Sequence, residues 1–233
     1  DITGKKVSDY LPKGKNSQVL LDLMKKSTRI LENHPVNQKR IERGLRPATS
    51  IWIWGEGKKA ALPSFYDTYK VKGGVVSAVD LIKGIGISAG LESVDVEGAT
   101  GNIHTNFDGK ANATISLLEN GKDYVYVHLE APDECGHRNE VDNKVRSIEL
   151  IDEHILGTIL KGMEEYEDYK ILLLPDHATP LSLRTHTHDP VPFALYHKAK
   201  ERTGTVKSYD EFAAQESSLV FSSGHSLMSH FMK

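Results

Sequence analysis

The chain has 233 residues, enough for one large domain or for one domain and part of another, each with its own core. Lysine and arginine number 29 against 32 aspartates and glutamates, a formal charge of -3, and the basic residues are dispersed, which speaks against nucleic acid as the main partner. No apolar run approaches the ~20 residues that cross a bilayer, Asp1-Ile2-Thr3-Gly4 does not read as a signal peptide, and the lone Cys135 forms no internal disulfide; the expectation is a soluble, cytoplasmic protein.

In chain order, residues 18–33 carry Val19, Leu20, Leu23, Met24, Ile30 and Leu31 at helical spacing, and His34-Pro35 stops them, so an amphipathic helix is expected there. The β-rich run 49–54 (TSIWIW), closed by Gly55-Glu56-Gly57, predicts a strand. A helix is expected near 77–83, with Gly84, Gly86 and Gly90 punctuating its end; these glycines look superficially like a dinucleotide loop, but no convincing strand precedes them. Residues 110–118 predict another helix, and 123–129 (DYVYVHL) a strand buried on both faces. From 142 to about 166, Val145, Ile148, Ile151, Ile155, Ile159 and Met163 recur every three or four residues and predict one long helix with a single apolar stripe. Strands are expected at 169–174 (YKILLL) and 191–196. Strand, helix, strand in this order predicts an α/β fold with a mostly parallel sheet covered by helices, and a domain boundary near residue 70.

Three stretches carry the chemistry: Ala131-Pro132-Asp133-Glu134-Cys135-Gly136-His137, Asp176-His177, and Thr185-His186-Thr187-His188-Asp189-Pro190. The first two follow predicted strands directly, and the third leads into the next strand, at the sheet edge where α/β proteins gather ligands. Two adjacent parallel strands would deliver Asp133/His137 and Asp176/His177 to one edge. Asp133 and His137, at i and i+4, face one ion if the residues between them form a helical turn. Asp176 and His177 serve one ion or two, and His186 and His188 alternate along one face. Mixed carboxylate and imidazole donors suit Mn²⁺ or Zn²⁺ better than Ca²⁺ or Mg²⁺, and a pair of such ions clamps a phosphoryl group. Cys135 is expected to be a small buried residue rather than a third ligand. His128, inside a predicted strand, is the remaining histidine best placed to line the site. Arg138 and Arg184, each near a candidate ligand, are candidates for gripping phosphate, the alternative being plain surface residues.

The run APDECGH, the pair Asp-His in LLLPDHATP, and RTHTHDPVPF resemble the metal motifs of the alkaline phosphatase superfamily, and specifically those of the archaeal-type cofactor-independent phosphoglycerate mutases. HPVNQKRIERGLRPATSIWIWGEG and VEGATGNIHTNFDGKA are also similar to that family, so the resemblance spans nearly the whole chain. It implies an alkaline-phosphatase-like α/β fold in which 1–70 is the remainder of an inserted substrate-binding domain and 71–233 the C-terminal part of the metal domain. It implies that Asp133, His137 and His186 bind one divalent metal and Asp176 and His177 a second, with Mn or Zn expected and Mg or Co as alternatives, and no 2,3-bisphosphoglycerate as cofactor. Lys110, in Phe107-Asp108-Gly109-Lys110-Ala111, resembles an active-site lysine that contacts the transferred phosphate.

Members of this family also carry an acidic metal motif and a nucleophilic serine ahead of the substrate domain, and neither is found in these residues. The expectation is therefore a C-terminal portion, inactive alone, of an enzyme that interconverts 3-phosphoglycerate and 2-phosphoglycerate in glycolysis through a phosphoserine. Its partners would be a small phosphorylated metabolite and the N-terminal segment of the same enzyme, with no nucleic acid and no membrane. Two rival readings are a phosphatase or phosphotransferase on another small metabolite, since relatives are sometimes labelled homoserine kinases, and a metal-binding module without chemistry of its own.

Overall fold

The computed structural model describes residues 4–55, 57–204 and 206–233. The chain divides into two compact units, Asp1–Lys59 and Ala60–Lys233, whereas the sequence placed a boundary near residue 70.

The first unit is built on two helices, α1 (Ser17–Glu32) and α2 (Pro35–Glu42). Pro35 opens α2, where its missing N–H costs nothing, and the His34 ring accepts from the Val36 amide as a cap. The strand expected at 49–54 does not form. The backbone in and just before it bonds to side chains instead: the Ile51 amide donates to Ser27 Oγ at 3.0 Å, and the preceding Ala48 amide donates to Asn37 Oδ1 at 2.9 Å while the Ala48 carbonyl accepts from Asn37 Nδ2 at 2.8 Å. β-propensity made the run look like a strand, but its bonds go to buried polar groups on α1 and α2.

The second unit runs α3 (Phe65–Tyr69), β1 (Gly73–Val76), α4 (Asp80–Ser88), β2 (Glu92–Val94), α5 (Phe107–Glu119), β3 (Tyr124–Val127), α6 (Ala131–Arg138), α7 (Val141–Leu150), α8 (Gly157–Gly162), β4 (Lys170–Leu173), β5 (Ala194–His197), α9 (Glu211–Gln215) and α10 (Gly224–Phe231). Strands β2, β1 and β3 form a parallel sheet in that order. The central strand β1 is fully buried, with Val75 and Val76 at 1% and 0% exposure, and it, like β2, was missed in the sequence. Its two leading glycines concealed it. They are there for packing: a Cβ on Gly74 would lie 2.7 Å from Leu117, and one on Gly73 would lie 2.5 Å from Leu91.

The expected end of the following helix is likewise corrected, because α4 runs straight through Gly84 and Gly86. A Cβ on Gly86 would sit 2.6 Å from Val75 Cγ1, so glycine lets α4 lie close on β1. Gly90, at φ +82°, supplies the actual stop.

The expected long helix exists as α7 and α8 joined through a π-helical segment, Ile151–Leu156. Its apolar stripe is not single. Val145 and Ile148 are exposed, while Ser147, Ile155 and Met163 are buried and Ile151 and Ile159 pack on the core with Phe107, Ala111 and Ala131. The inward line is 147-151-155-159-163, steps of four throughout, and the wider π turn keeps such a line on one face.

The sheet differs from expectation in one further way. β4 pairs with β5, antiparallel, in a separate two-stranded sheet, and β3 and β4 are not hydrogen-bonded neighbours. β3, expected to be buried on both faces, is half-buried at the edge of its sheet. No helix among the described residues is long and apolar enough to cross a membrane.

Candidate metal centre

Asp133 and His137 stand one turn apart on α6, which begins with Pro132 in its first turn and ends on Asn139 in the left-handed region. The i, i+4 spacing puts their side chains together, His137 Nε2 lying 3.3 Å from Asp133 Oδ2. His186 arrives from the loop between β4 and β5, its Nε2 3.1 Å from His137 Nε2 and 3.3 Å from Asp133 Oδ1. His177, from the segment after β4, joins on the other side: its ring centroid is 3.8 Å from that of His186, and its Nδ1 is 3.9 Å from Asp133 Oδ1. One ligand atom from each of Asp133, His177 and His186 lies within 4.8 Å of the others. Asp176 attaches through His177, whose Nε2 is 3.5 Å from Asp176 Oδ1.

These residues converge without β3 and β4 being neighbours. A single antiparallel bridge between Ala178 and Thr187, with the Thr187 amide donating to the Ala178 carbonyl at 3.1 Å, ties the His177 segment to the His186 segment. The Pro180 carbonyl closes a turn by accepting from the Leu183 and Arg184 amides.

The donor set fits a cation. His137 Nδ1 lies 2.9 Å from the Arg184 carbonyl, which can only accept, so Nδ1 carries a proton and, in the neutral ring, Nε2 carries a lone pair. That lone pair, His186 Nε2 and the Asp133 carboxylate then face one another at 3.1 to 3.3 Å. Tetrahedral ligands held at ~2.0–2.2 Å from zinc stand about 3.3–3.6 Å apart, so the spacing matches. Lone pairs brought this close are stabilised by a shared proton or by a cation, and the donor types suit a divalent ion.

The other candidates take varied positions. Lys110, on α5, is buried, and its Nζ donates to the His128 carbonyl at 3.3 Å. Loss of hydration brings its amine down to about 8, with the nearby Glu130 carboxylate opposing and Lys83 reinforcing the shift. His128 is half-buried just past β3, its Nδ1 3.3 Å from Ser77 Oγ, and burial lowers its basicity. Arg138 is occupied by Glu134, at 2.8 Å, and by Glu140, at 2.9 Å. Arg184 contributes its backbone carbonyl and sits at φ +54° with an exposed side chain. Cys135 is buried, which pushes its thiol up. His188 is exposed, and the metal-suited groups found among the described residues include neither it nor His137, but His137 lies against His186 and Asp133 whereas no such contact is seen for His188 among the described residues.

Three participants had not been singled out. Glu130, which precedes α6, gathers with Asp133 and Glu134 into an acidic group, and burial, followed by the charges of Glu134 and Asp133, raises its carboxyl. Thr179 is buried, and its hydroxyl donates to Asp133 Oδ1. Lys144, on α7, donates to the Thr179 carbonyl at 3.0 Å. Glu130 was findable as a carboxylate at a strand end, and Thr179 as a hydroxyl two residues beyond a candidate ligand.

Known proteins are similar to this chain along nearly its whole length. The chain is 46% identical over 228 residues to the probable 2,3-bisphosphoglycerate-independent phosphoglycerate mutase of Geobacter sulfurreducens, and 48% identical over 220 residues to the 2,3-bisphosphoglycerate-independent phosphoglycerate mutase of Methanosarcina barkeri. These alignments take in 98% and 94% of the chain but only 57% and 55% of the relatives, so the chain spans little more than half the length of the proteins it matches. Among solved structures, the PH0037 protein from Pyrococcus horikoshii matches with a TM-score of 0.72 at 32% identity, over 86% of this chain and 52% of that one. The cofactor-independent phosphoglycerate mutase from Thermoplasma acidophilum matches in fold, with a TM-score of 0.53 at 24% identity over 88% of this chain and 48% of that one. The Metalloenzyme superfamily profile matches residues 15–233, and with a ligand cluster of this chemistry in an α/β fold, the chain belongs to the Metalloenzyme superfamily.

Proposed function

We propose that this chain is the metal-binding portion of a 2,3-bisphosphoglycerate-independent phosphoglycerate mutase, a cytoplasmic enzyme that interconverts 3-phosphoglycerate and 2-phosphoglycerate in glycolysis. The observation that carries the reading is the meeting of His137 Nε2, His186 Nε2 and the Asp133 carboxylate at 3.1 to 3.3 Å, in a chain 46–48% identical to relatives bearing that name.

In this reading Asp133, His137 and His186 hold one divalent ion, Mn or Zn, and Asp176 and His177 contribute to a second. Bound there, the ions neutralise charge on the phosphoryl oxygens and favour the ionised form of an attacking hydroxyl. Lys110, with an amine near 8, holds its proton at neutral pH in spite of its burial, and a phosphate oxygen would compensate that buried charge. The Glu130 carboxylate favours the charged form of that amine and belongs to the acidic group with Asp133 and Glu134. Arg184, exposed and not committed to an ion pair among the described residues, takes substrate charge more readily than Arg138, which would first have to leave Glu134 and Glu140. The remaining ligands of the second ion, and the serine that carries the phosphoryl group between the two positions, we assign to residues outside this span. The 233 residues alone then bind metal and do not turn over.

The test is an assay of 3-phosphoglycerate conversion by a protein extended to the length of the relatives, after chelation and after restoring Mn²⁺ or Zn²⁺, beside the 233-residue chain. Metal-dependent conversion by the extended protein only is expected. Robust conversion by the 233-residue chain would overturn the assignment of the serine, and activity on other phosphorylated metabolites but not on phosphoglycerate would overturn the substrate.

A further inference from the structure

Thr179 is 5% exposed, and its surroundings hold it from three directions. Its carbonyl accepts from Lys144 Nζ at 3.0 Å. The same carbonyl approaches α6 where only glycine fits, since a Cβ on Gly136 would lie 2.6 Å from the Thr179 oxygen and 2.9 Å from Thr179 Cγ2. The neighbouring Ala178 is fixed by its bridge to Thr187. A hydroxyl so anchored is presented to two side chains, Asp133 Oδ1 and His177 Nδ1, the latter at 3.2 Å.

The hydroxyl has a single proton. An ionised carboxylate can only accept, so the proton is given to Asp133, and the threonine oxygen is left with lone pairs toward His177. His177 Nδ1 must then be the protonated nitrogen and donate to Thr179, which leaves Nε2 bare. Nε2 is the atom that faces Asp176, at 3.5 Å. We infer that Thr179 is a positioning residue that sets the tautomer of His177 and the orientation of Asp133 at once, joining the Asp133/His137/His186 group to the Asp176/His177 pair through one hydroxyl. Such outer partners of ligands typically govern metal affinity by 10–100-fold. The inference rests on the proposed division of the ligands between two ions, but its first test does not require mutase activity.

The test uses the full chain, metal-free, with ¹⁵N-labelled histidine. The ring nitrogens of His177 are expected to report Nδ1–H in the neutral protein; a proton resident on Nε2 overturns the inference without any variant being made. In calorimetric titration with Mn²⁺ and with Zn²⁺, Thr179→Val is expected to lose 10–100-fold in affinity while Thr179→Ser, which keeps the hydroxyl, stays within a few-fold of the parent. A folded Thr179→Val protein that binds both metals like the parent, or a Thr179→Ser protein as impaired as Thr179→Val, overturns it. Normal metal binding with the expected pattern but no mutase activity in the extended protein would sink the proposed reaction and leave the role of Thr179 standing.

Discussion

His137 takes its orientation from a backbone atom 47 residues away, the Arg184 carbonyl at 2.9 Å, and that carbonyl is aimed by a residue in the left-handed region at φ +54°. Backbone and side chain of Arg184 therefore have separable duties. Arg184→Gly should hold φ +54° more easily and keep metal affinity within a few-fold, while weakening inorganic phosphate binding. Arg184→Val, whose branched side chain opposes that conformation by roughly 1–2 kcal/mol, should lower metal affinity. Calorimetry on the two variants separates these outcomes.

His137→Ala removes one of the three atoms packed at 3.1 to 3.3 Å, whereas His188 stands outside the cluster. Mn²⁺ or Zn²⁺ affinity should fall at least tenfold for His137→Ala and hardly at all for His188→Ala. Equal losses in calorimetry would refute the assignment of His186 in preference to His188.

Lys110 stores instability. Its amine is near 8 when folded and 10.5 when exposed, so below about pH 8 both states hold the proton and the folded state bears the whole cost of burying it. As pH rises from about 8 to 10.5 the folded chain releases the proton while the unfolded chain retains it, and stability rises. Lys110→Met should be more stable than the parent at pH 7, by up to on the order of 3 kcal/mol, with the gap narrowing above pH 8. Urea unfolding at pH 7, 9 and 10 checks this, and a gap independent of pH refutes it. The same variant should lose phosphate affinity.

Gly86→Ala places a Cβ 2.6 Å from Val75 Cγ1, against the most buried strand of the sheet. Overpacking of this kind costs about 1–3 kcal/mol. Thermal unfolding should shift down by several degrees, while Gly84→Ala, whose Cβ meets nothing within 4 Å, should be neutral or stabilising.

Asp133 and His137 were legible because a helical turn depends on local spacing alone, and the α/β class because buried strands and amphipathic helices alternate. What stayed hidden is non-local. Gly73, Gly74 and Gly86 looked like breaks because their reason, close contact with Leu91, Leu117 and Val75, lies elsewhere in the chain. The run 49–54 had strand-like residues but no strand to meet, and Ser27 took the Ile51 amide while Asn37 fixed Ala48 just before it. Asp176 and His177 were expected beside Asp133 through two adjacent parallel strands; they come near it through the Thr179 hydroxyl on Asp133 instead, with the 178–187 bridge bringing in His186, links that no periodicity announces.

That bridge has a dynamic consequence. With β3 and β4 in different sheets, no continuous ladder of hydrogen bonds clamps α6 against the His177 and His186 segments. Parting the His177 segment from the His186 segment requires a short stretch around Ala178 and Thr187 to open, a fluctuation far cheaper than unfolding β1. The amide of Thr187 should therefore exchange with solvent much sooner than those of Val75 and Val76, and a bound cation, by stitching the two segments together, should slow the first without changing the second.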